Sequence, residues 1–509
     1  MVAAIAALAV LVAGAVALVR MHAAPTAVQT IAVLPFTNLT GDAEQEFLAD
    51  GLAEEVANRL AAIPELRVTG RTSSFSFKGK NEDLRDIAEK LDVTKLLEGS
   101  LRGDHERLRV TVHLVDGKDG TRRWSSPTYE HEQSGILAAQ DEIARDVARA
   151  LSVTLDVGEL KRSQGGTRNL EAARRYWQWR ELMLGERARL EDQNRMVRLM
   201  REAVRLDPLF VVAWDGLADS LHGLAQSIGD TQPEQAELLE AESEQAWRRV
   251  AELAPDSWVA LRKRSYDLTL AEKWAECEAV ARQILESGPA SFERAQPLAD
   301  VLFATGRINE AIELQAQIMA LDPRAMSLSV WQQFNLYAAG RFKEVEAEYQ
   351  RSLTLDGNHS TSHFVALVRG LAQQHADPQV LRALLQSVLS EGEWSRWWHD
   401  FGAAIPDRGA MLAVLNDSSE VGAQAQVVFA DALGDRDLAL KVLRTHLAQT
   451  RGRFTSAWYA PWLMVQSGAR ADPRFKELMR EGGLADFWRQ SGKWPDACRP
   501  AGEDDFECI

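Results

Sequence analysis

Basic residues are in short supply in this chain of 509 residues: 58 lysines and arginines stand against 74 aspartates and glutamates, a formal charge of −16 at neutral pH. A surface with that balance repels phosphate backbones unless its few cations are gathered in one place. The largest cluster is Arg122 and Arg123, neighbours in an expected strand, which reads as a solvated face. No nucleic-acid partner is therefore expected. Cysteine is scarcer still, and three thiols exclude both a disulfide-dense scaffold and a spaced zinc pattern. Cys277 stands alone. Cys498 and Cys508 lie in a tail with Pro495, Pro500 and Gly502, and form a candidate disulfide if that tail meets an oxidising compartment; two unpaired thiols are the alternative.

Catalytic signatures are missing too: there is no zincin helix, nucleophile elbow, kinase motif or cyclase motif. Gly79-Lys80 looks like the end of a phosphate loop, but no glycine lies five residues before Gly79 and no hydroxyl residue follows Lys80. His359 and His363 are one helical turn apart without a third ligand nearby. The expectation is a protein that is not an enzyme, with no catalytic, cofactor-binding or metal-binding residue.

The longest apolar run is Val2 to Val19, with no charge before Arg20. As a helix rising about 1.5 Å per residue it reaches roughly 27 Å, enough to cross a hydrocarbon core. It reads as a transmembrane anchor, a cleaved signal peptide being the competitor. Residues 1–28 thus form the expected anchor and juxtamembrane linker.

Residues 29–157 read as an α/β domain. Ile31 to Phe36 is an apolar strand closed by Pro35, and Glu44 to Ile63 carries Phe47, Leu48, Leu52, Val56 and Leu60 at helical steps. A short strand, Leu66 to Thr69, precedes a Ser-rich loop in which Phe75 and Phe77 are expected to pack inward. Asn81 is the expected cap of a second helix with Leu84, Ile87, Ala88 and Leu91 on its apolar side. Three strands follow, Lys95 to Arg102, Leu108 to Val115 and Arg122 to Tyr129, then a helix from about Ile136 to Leu155. The order βαβαβββα gives one mixed sheet with helices packed on it.

The strings IAVLPFTNLTGDAEQEFLADGLAEEVANRL, TSSFSFKGKNEDLRDIAEKLDVTKLLEGSLR, LRVTVHLVDGKDGTRRW and LAAQDEIARDVARAL resemble the TolB-type amino-terminal domain over about 130 residues. Bacteria often place that domain between a transmembrane helix and tetratricopeptide repeats, and related domains bind proteins and catalyse nothing. The resemblance implies a single-pass protein of the inner (cytoplasmic) membrane with the bulk of the chain periplasmic.

After a polar linker, residues 158–168, the chain to residue 496 is dense in helix formers. Pro255, Pro289, Pro323 and Gly357 lie 34 residues apart, and Gly306 and Gly340 repeat the offset. Thirty-four is the tetratricopeptide length. Glycine permits the turn between the two helices of a repeat, proline or glycine breaks the chain between repeats, and Cys277, Ala311 and Val345 occupy one equivalent core position. Pro208 and Pro255 are 47 apart, one repeat plus 13, with the excess placed around Ser227 to Glu237. Asp431 to Leu443 reads as a further helix-to-helix turn, Trp394, Trp397 and Trp398 as a buried helix face, and DPRFKELMREGGLADFWRQSGKWPDAC resembles the terminal cap of proteins of this architecture; residues 497–509 are a tail.

The fold class expected is thus multi-domain: a transmembrane helix, a mixed-sheet TolB-like domain, and an all-α tetratricopeptide solenoid. Its expected role is a membrane-anchored scaffold or adaptor, taking a peptide or helix of a protein partner in the solenoid groove. The alternative is the sensory portion of a one-component regulator of transcription-factor, cyclase or kinase type.

Overall fold

A computed structural model describes residues 29–104, 106–153, 166–184, 190–228, 232–356, 359–373, 377–388, 396–405, 407–416, 422–452, 455–502 and 504–509. The chain divides into two compact units, Met1–Leu160 and Lys161–Ile509.

One element of the expected fold class is overturned. Among the described residues no helix is long and apolar enough to cross a membrane, and the run Val2 to Val19 lies outside them. The reason is visible in the longest helices: Val211–Ile228 carries Asp215, Asp219 and His222 within its apolar sequence, and Pro233–Leu253 is studded with glutamates. These are amphipathic elements of a packed array, and the inner-membrane, single-pass placement is contradicted as well, since no described helix could carry it.

The first unit holds a seven-stranded mixed sheet in the order β3-β1-β4-β5-β6. Its strands are β1 Gln29–Val33, β2 Thr37–Asn38, β3 Leu66–Val68, β4 Lys95–Gly103, β5 Arg107–Asp116, β6 Arg122–Ser125 and β7 Tyr129–Glu132. β1 runs parallel to β3 and β4, while β4, β5 and β6 are antiparallel. The strand expected over 122–129 is two strands, because Pro127 has no N–H to give the ladder; β6 and β7 pair with different stretches of β5. The helix Leu84–Leu91 starts later than Asn81, capped by the Asp83 carboxylate, which accepts from the Arg85 amide at 2.9 Å. Ile87, Ala88 and Leu91 pack with Phe77 on Ala32, Leu34, Leu96 and Val115. Helices Glu46–Ala61 and Ala139–Ala150 pack together, and contact β1, β4, β5 and β7. Helix Arg71–Phe75 begins the Ser-rich loop, which is tied to Glu46–Ala61 by Arg71 on Glu54 at 2.9 Å and by Lys78 on Asp50 and Glu46.

The second unit is a succession of helical hairpins. Among the described residues they are Leu170–Leu184 with Leu190–Leu206, Val211–Ile228 with Pro233–Leu253, Trp258–Leu270 with Trp274–Glu286, Phe292–Ala304 with Ile308–Leu321, Met326–Ala338 with Phe342–Ser352, Ser360–Ala372 with Pro378–Val388, Arg396–Ala404 with Arg408–Asn416, and Ala423–Ala432 with Arg436–Thr450.

The 34-residue period has a conformational signature. Glu272, Gly306 and Gly340 follow the first helix of three successive hairpins, all in the left-handed region with φ of 56, 79 and 71°, and Gly434 repeats the turn at 72°. The next residue, Lys273, Arg307, Arg341 or Asp435, donates its amide to a carbonyl five residues back, closing each helix in the same way. Cys277, Ala311, Val345 and Ala439, five residues beyond each turn, are all fully buried. Nearly all of the extra length of the second hairpin goes into its helices, 18 and 21 residues against 13 and 14 in the Phe292 hairpin.

Candidate interaction site

A repeat array offers a partner the face formed by the first helices of its hairpins. Here much of that face is covered by the chain itself. Beyond Thr450 the regular hairpins give way to 3-10 turns at Thr455–Trp458, Ala460–Leu463 and Ala469–Ala471, short helices Pro473–Glu481 and Leu484–Ser491, and a two-stranded ribbon of β8 Cys498–Ala501 and β9 Asp505–Cys508. Trp458, Trp462, Trp488, Phe475 and Phe506 are buried in one core with Trp274, Leu302, Phe303, Leu336 and Tyr337.

Polar contacts fix that segment turn by turn. The indole N–H groups of Trp462 and Trp488 donate to the Ala304 and Thr305 carbonyls, at 2.9 and 3.1 Å, and Trp274 donates to the Gly482 carbonyl at 2.9 Å. Arg451 grips Glu272 with two bonds of 2.7 Å, and the Trp458 indole adds a third at 3.1 Å. Asp496 donates its amide to the Gly306 carbonyl and accepts from the Asn309 amide at 2.7 Å, so a residue far along the chain caps the helix Ile308–Leu321.

Four array carboxylates face the segment. Asp300 accepts from the Tyr459 hydroxyl at 2.7 Å, and burial pushes its pKa up to about 6 against the pull of Tyr459 and Gln296. Asp431 accepts amides of Val465, Gln466 and Ser467 at 2.7 to 3.0 Å; burial raises its pKa while those donors draw it down. At Glu278 burial acts upward, but hydrogen bonds from Lys493, Arg307 and Arg282 more than reverse it and hold the group at about 2. Glu272 is the fourth. A carboxylate surrounded by donors in this way is an anchor for backbone or cation.

The residues singled out from the sequence fall as follows. Cys498 and Cys508 are joined by a disulfide that ties β8 to β9. Cys277 is enclosed, with the Thr269 and Ser265 hydroxyls at 3.1 and 3.5 Å, and burial raises its pKa. Trp397 stacks on Phe401 with ring centres 4.9 Å apart, Trp398 packs edge-on against Trp397 and Phe429, and Trp394 lies outside the described residues. Tyr349 and His363 are hydrogen-bonded at 3.0 Å, His359 lies against His363, and among the described residues no group of three potential ligands could hold a metal. Phe77 is buried, whereas Phe75 is half-buried beneath the Arg71 guanidinium. Lys80 follows a left-handed Gly79 in an ordinary turn. Arg122 and Arg123 are exposed, Arg123 on Asp119.

Sequence reasoning missed Glu272, Asp300, Asp431 and a second, half-buried group, Asp215 and Asp219 on Arg262, which also lies over the Trp247 ring. The signal for Asp300 and Asp431 is charge in an apolar register, among Leu298, Val301 and Leu302 and among Phe429, Ala430 and Leu433. Across β4, β5 and β6 of the first unit, the Ser125 hydroxyl meets the His113 ring at 3.1 Å with Glu98 opposite His113 in register. Burial, with the nearby Arg122 charge, lowers the His113 pKa.

No family model matches the chain. A stretch of 135 residues is 40% identical to part of a protein named Putative adenylate cyclase 3 from Rhizobium meliloti (strain 1021). The stretch is 26% of this chain and 23% of that protein, so the likeness covers about a quarter of each.

Proposed function

We propose that the chain is a non-catalytic protein-interaction module, a TolB-type domain followed by a tetratricopeptide-type array. The observation that carries this reading is the turn repeated at Glu272, Gly306 and Gly340, 34 residues apart and left-handed each time. Hairpins stacked at that interval expose side chains over a large surface, and such arrays serve as scaffolds for protein partners. The partner's place is a surface left open by the C-terminal segment, since the first-helix face from Trp258 to Ala338 is already filled.

A second reading makes the module the regulatory part of a signalling system. It is favoured by the name of the relative and by the length of the match, which is close to that of the described part of the first unit.

Photo-crosslinking groups at exposed positions of both units, Leu39, Leu209 and Leu238 among them, test the proposal in cells. The expected outcome is one protein captured in stoichiometric amount from neighbouring positions. If that protein is a cyclase, a kinase or a transcription regulator, the second reading holds; any other defined partner favours a scaffold, and capture of none across growth conditions removes both.

A further inference from the structure

The C-terminal ribbon sits at the end of a chain of contacts that leads into the array. A two-stranded ribbon with four residues per strand is marginal by itself. This one presents Phe506, fully buried, to the rings of Trp488 and Trp494 at 5.4 and 6.4 Å. Asp505 meets Lys476 and Arg480 at 2.9 and 2.6 Å, and both cations lie over the Phe506 ring. Trp488 in turn bonds the Thr305 carbonyl, and two residues before Cys498, Asp496 caps the helix Ile308–Leu321 through the Asn309 amide. Pro495 and Trp462 close on Gly306 so tightly that a Cβ there would lie 2.6 Å from each. The disulfide is the covalent tie that holds this edge shut.

We propose that the Cys498–Cys508 disulfide is a redox latch: its reduction frees the ribbon, uncovers Trp488 and Trp494, and releases the Asp496 cap from the Gly306 turn, while the hairpins from Trp258 to Thr450 stay folded. The reductant is a dithiol. One of its thiolates attacks a cysteine sulfur, the S–S bond breaks, and a mixed disulfide forms as the other cysteine leaves as thiolate. The second thiol of the reductant then displaces the remaining cysteine. The chain gains two electrons and two protons, and the dithiol becomes a disulfide. Cys498 and Cys508 are themselves buried, 7% and 5% exposed, between exposed Arg499 and Glu507 on a ribbon of four residues per strand, so fraying of the ribbon is what admits the attacking thiolate to a sulfur. Buried Cys277 takes no part.

Hydrogen exchange of the whole chain, oxidised and then reduced with dithiothreitol, tests the latch. Reduction should lower protection of the β8, β9 and Asn309 amides on the order of a hundredfold, the factor expected for closing a loop of this size, and reoxidation should restore it. The paired change Cys498→Ser with Cys508→Ser should reproduce the reduced pattern without reductant. Unchanged protection at Asn309 would overturn the proposal, as ribbon and cap would be uncoupled. Loss of protection throughout Trp258–Thr450 would overturn it as well, making the disulfide a staple of the entire array.

Discussion

Single residues carry the repeat, and they differ in what they carry. Gly340 needs only its left-handed φ, with nothing within 4 Å of a Cβ, whereas Gly306 has the same conformation beneath Trp462 and Pro495. Alanine at 340 should therefore cost about 1 kcal/mol of backbone strain. Alanine at 306 should cost about 3 kcal/mol, the same strain plus overpacking of a tight contact. Urea unfolding of the two variants checks the gap; equal losses would mean that the C-terminal segment does not press on the turn. Glu272 shows why the period was only partly legible. It occupies the left-handed position without being glycine, since its carboxylate serves Arg451 and Trp458, and a search for recurring glycine passes over it.

Asp300 has a pH signature. Its carboxyl, ordinarily near 3.8, is pushed up to about 6 in the fold, so the folded chain takes up the proton first. The stabilisation is complete below the unfolded value and is lost as pH rises through about 6. His363 and His446, lowered by burial, act in the opposite sense over the same range. The informative quantity is thus a difference: wild type should gain stability relative to Asp300→Asn as pH falls from about 7.5 to about 5. A difference that does not change with pH would show that Asp300 ionises in the fold as it does in water.

At the scale of elements, the hairpins were readable because their helices follow a 3.6-residue pattern and their turns demand particular residues. The segment from Thr455 onward was not. DPRFKELMREGGLADFWRQSGKWPDAC does end the array, but its 3-10 turns have no periodicity. Its burial depends on partners 150 or more residues away, such as Ala304 for Trp462. Such pairings leave no local trace, so a groove drawn from the repeat pattern looks empty when its occupant is distant in sequence. Trp462→Ala should cost about 3 to 5 kcal/mol, through the cavity left by a fully buried ring. It also strips the Ala304 carbonyl of its donor. A loss under about 1 kcal/mol by chemical denaturation would mean that the segment rests on the array without completing its core.

For the whole molecule, composition bounded the answer and topology supplied the rest. The alternation of Val110, Val112 and Leu114 with Arg109, Thr111 and His113 marks a sheet with one buried face, and the helix spacing in Glu46–Ala61 marks what covers it. Pro127 alone redirected the strand that followed. Within the first unit, Gln29 donates to the Leu151 carbonyl at 3.0 Å, tying its first strand to its last helix, and Tyr129 donates to Asp146 at 2.9 Å. With Ile31, Leu52, Val56, Leu97, Val112, Ile143 and Val147 all fully or almost fully buried, residues 29–153 enclose a core of the size that sustains a small domain. Expressed alone, that segment should unfold in one cooperative transition with native mixed α/β circular dichroism. A gradual melt, or a spectrum without strand, would mean that the sheet draws its stability from outside these residues, and that the two units cannot be reasoned about separately.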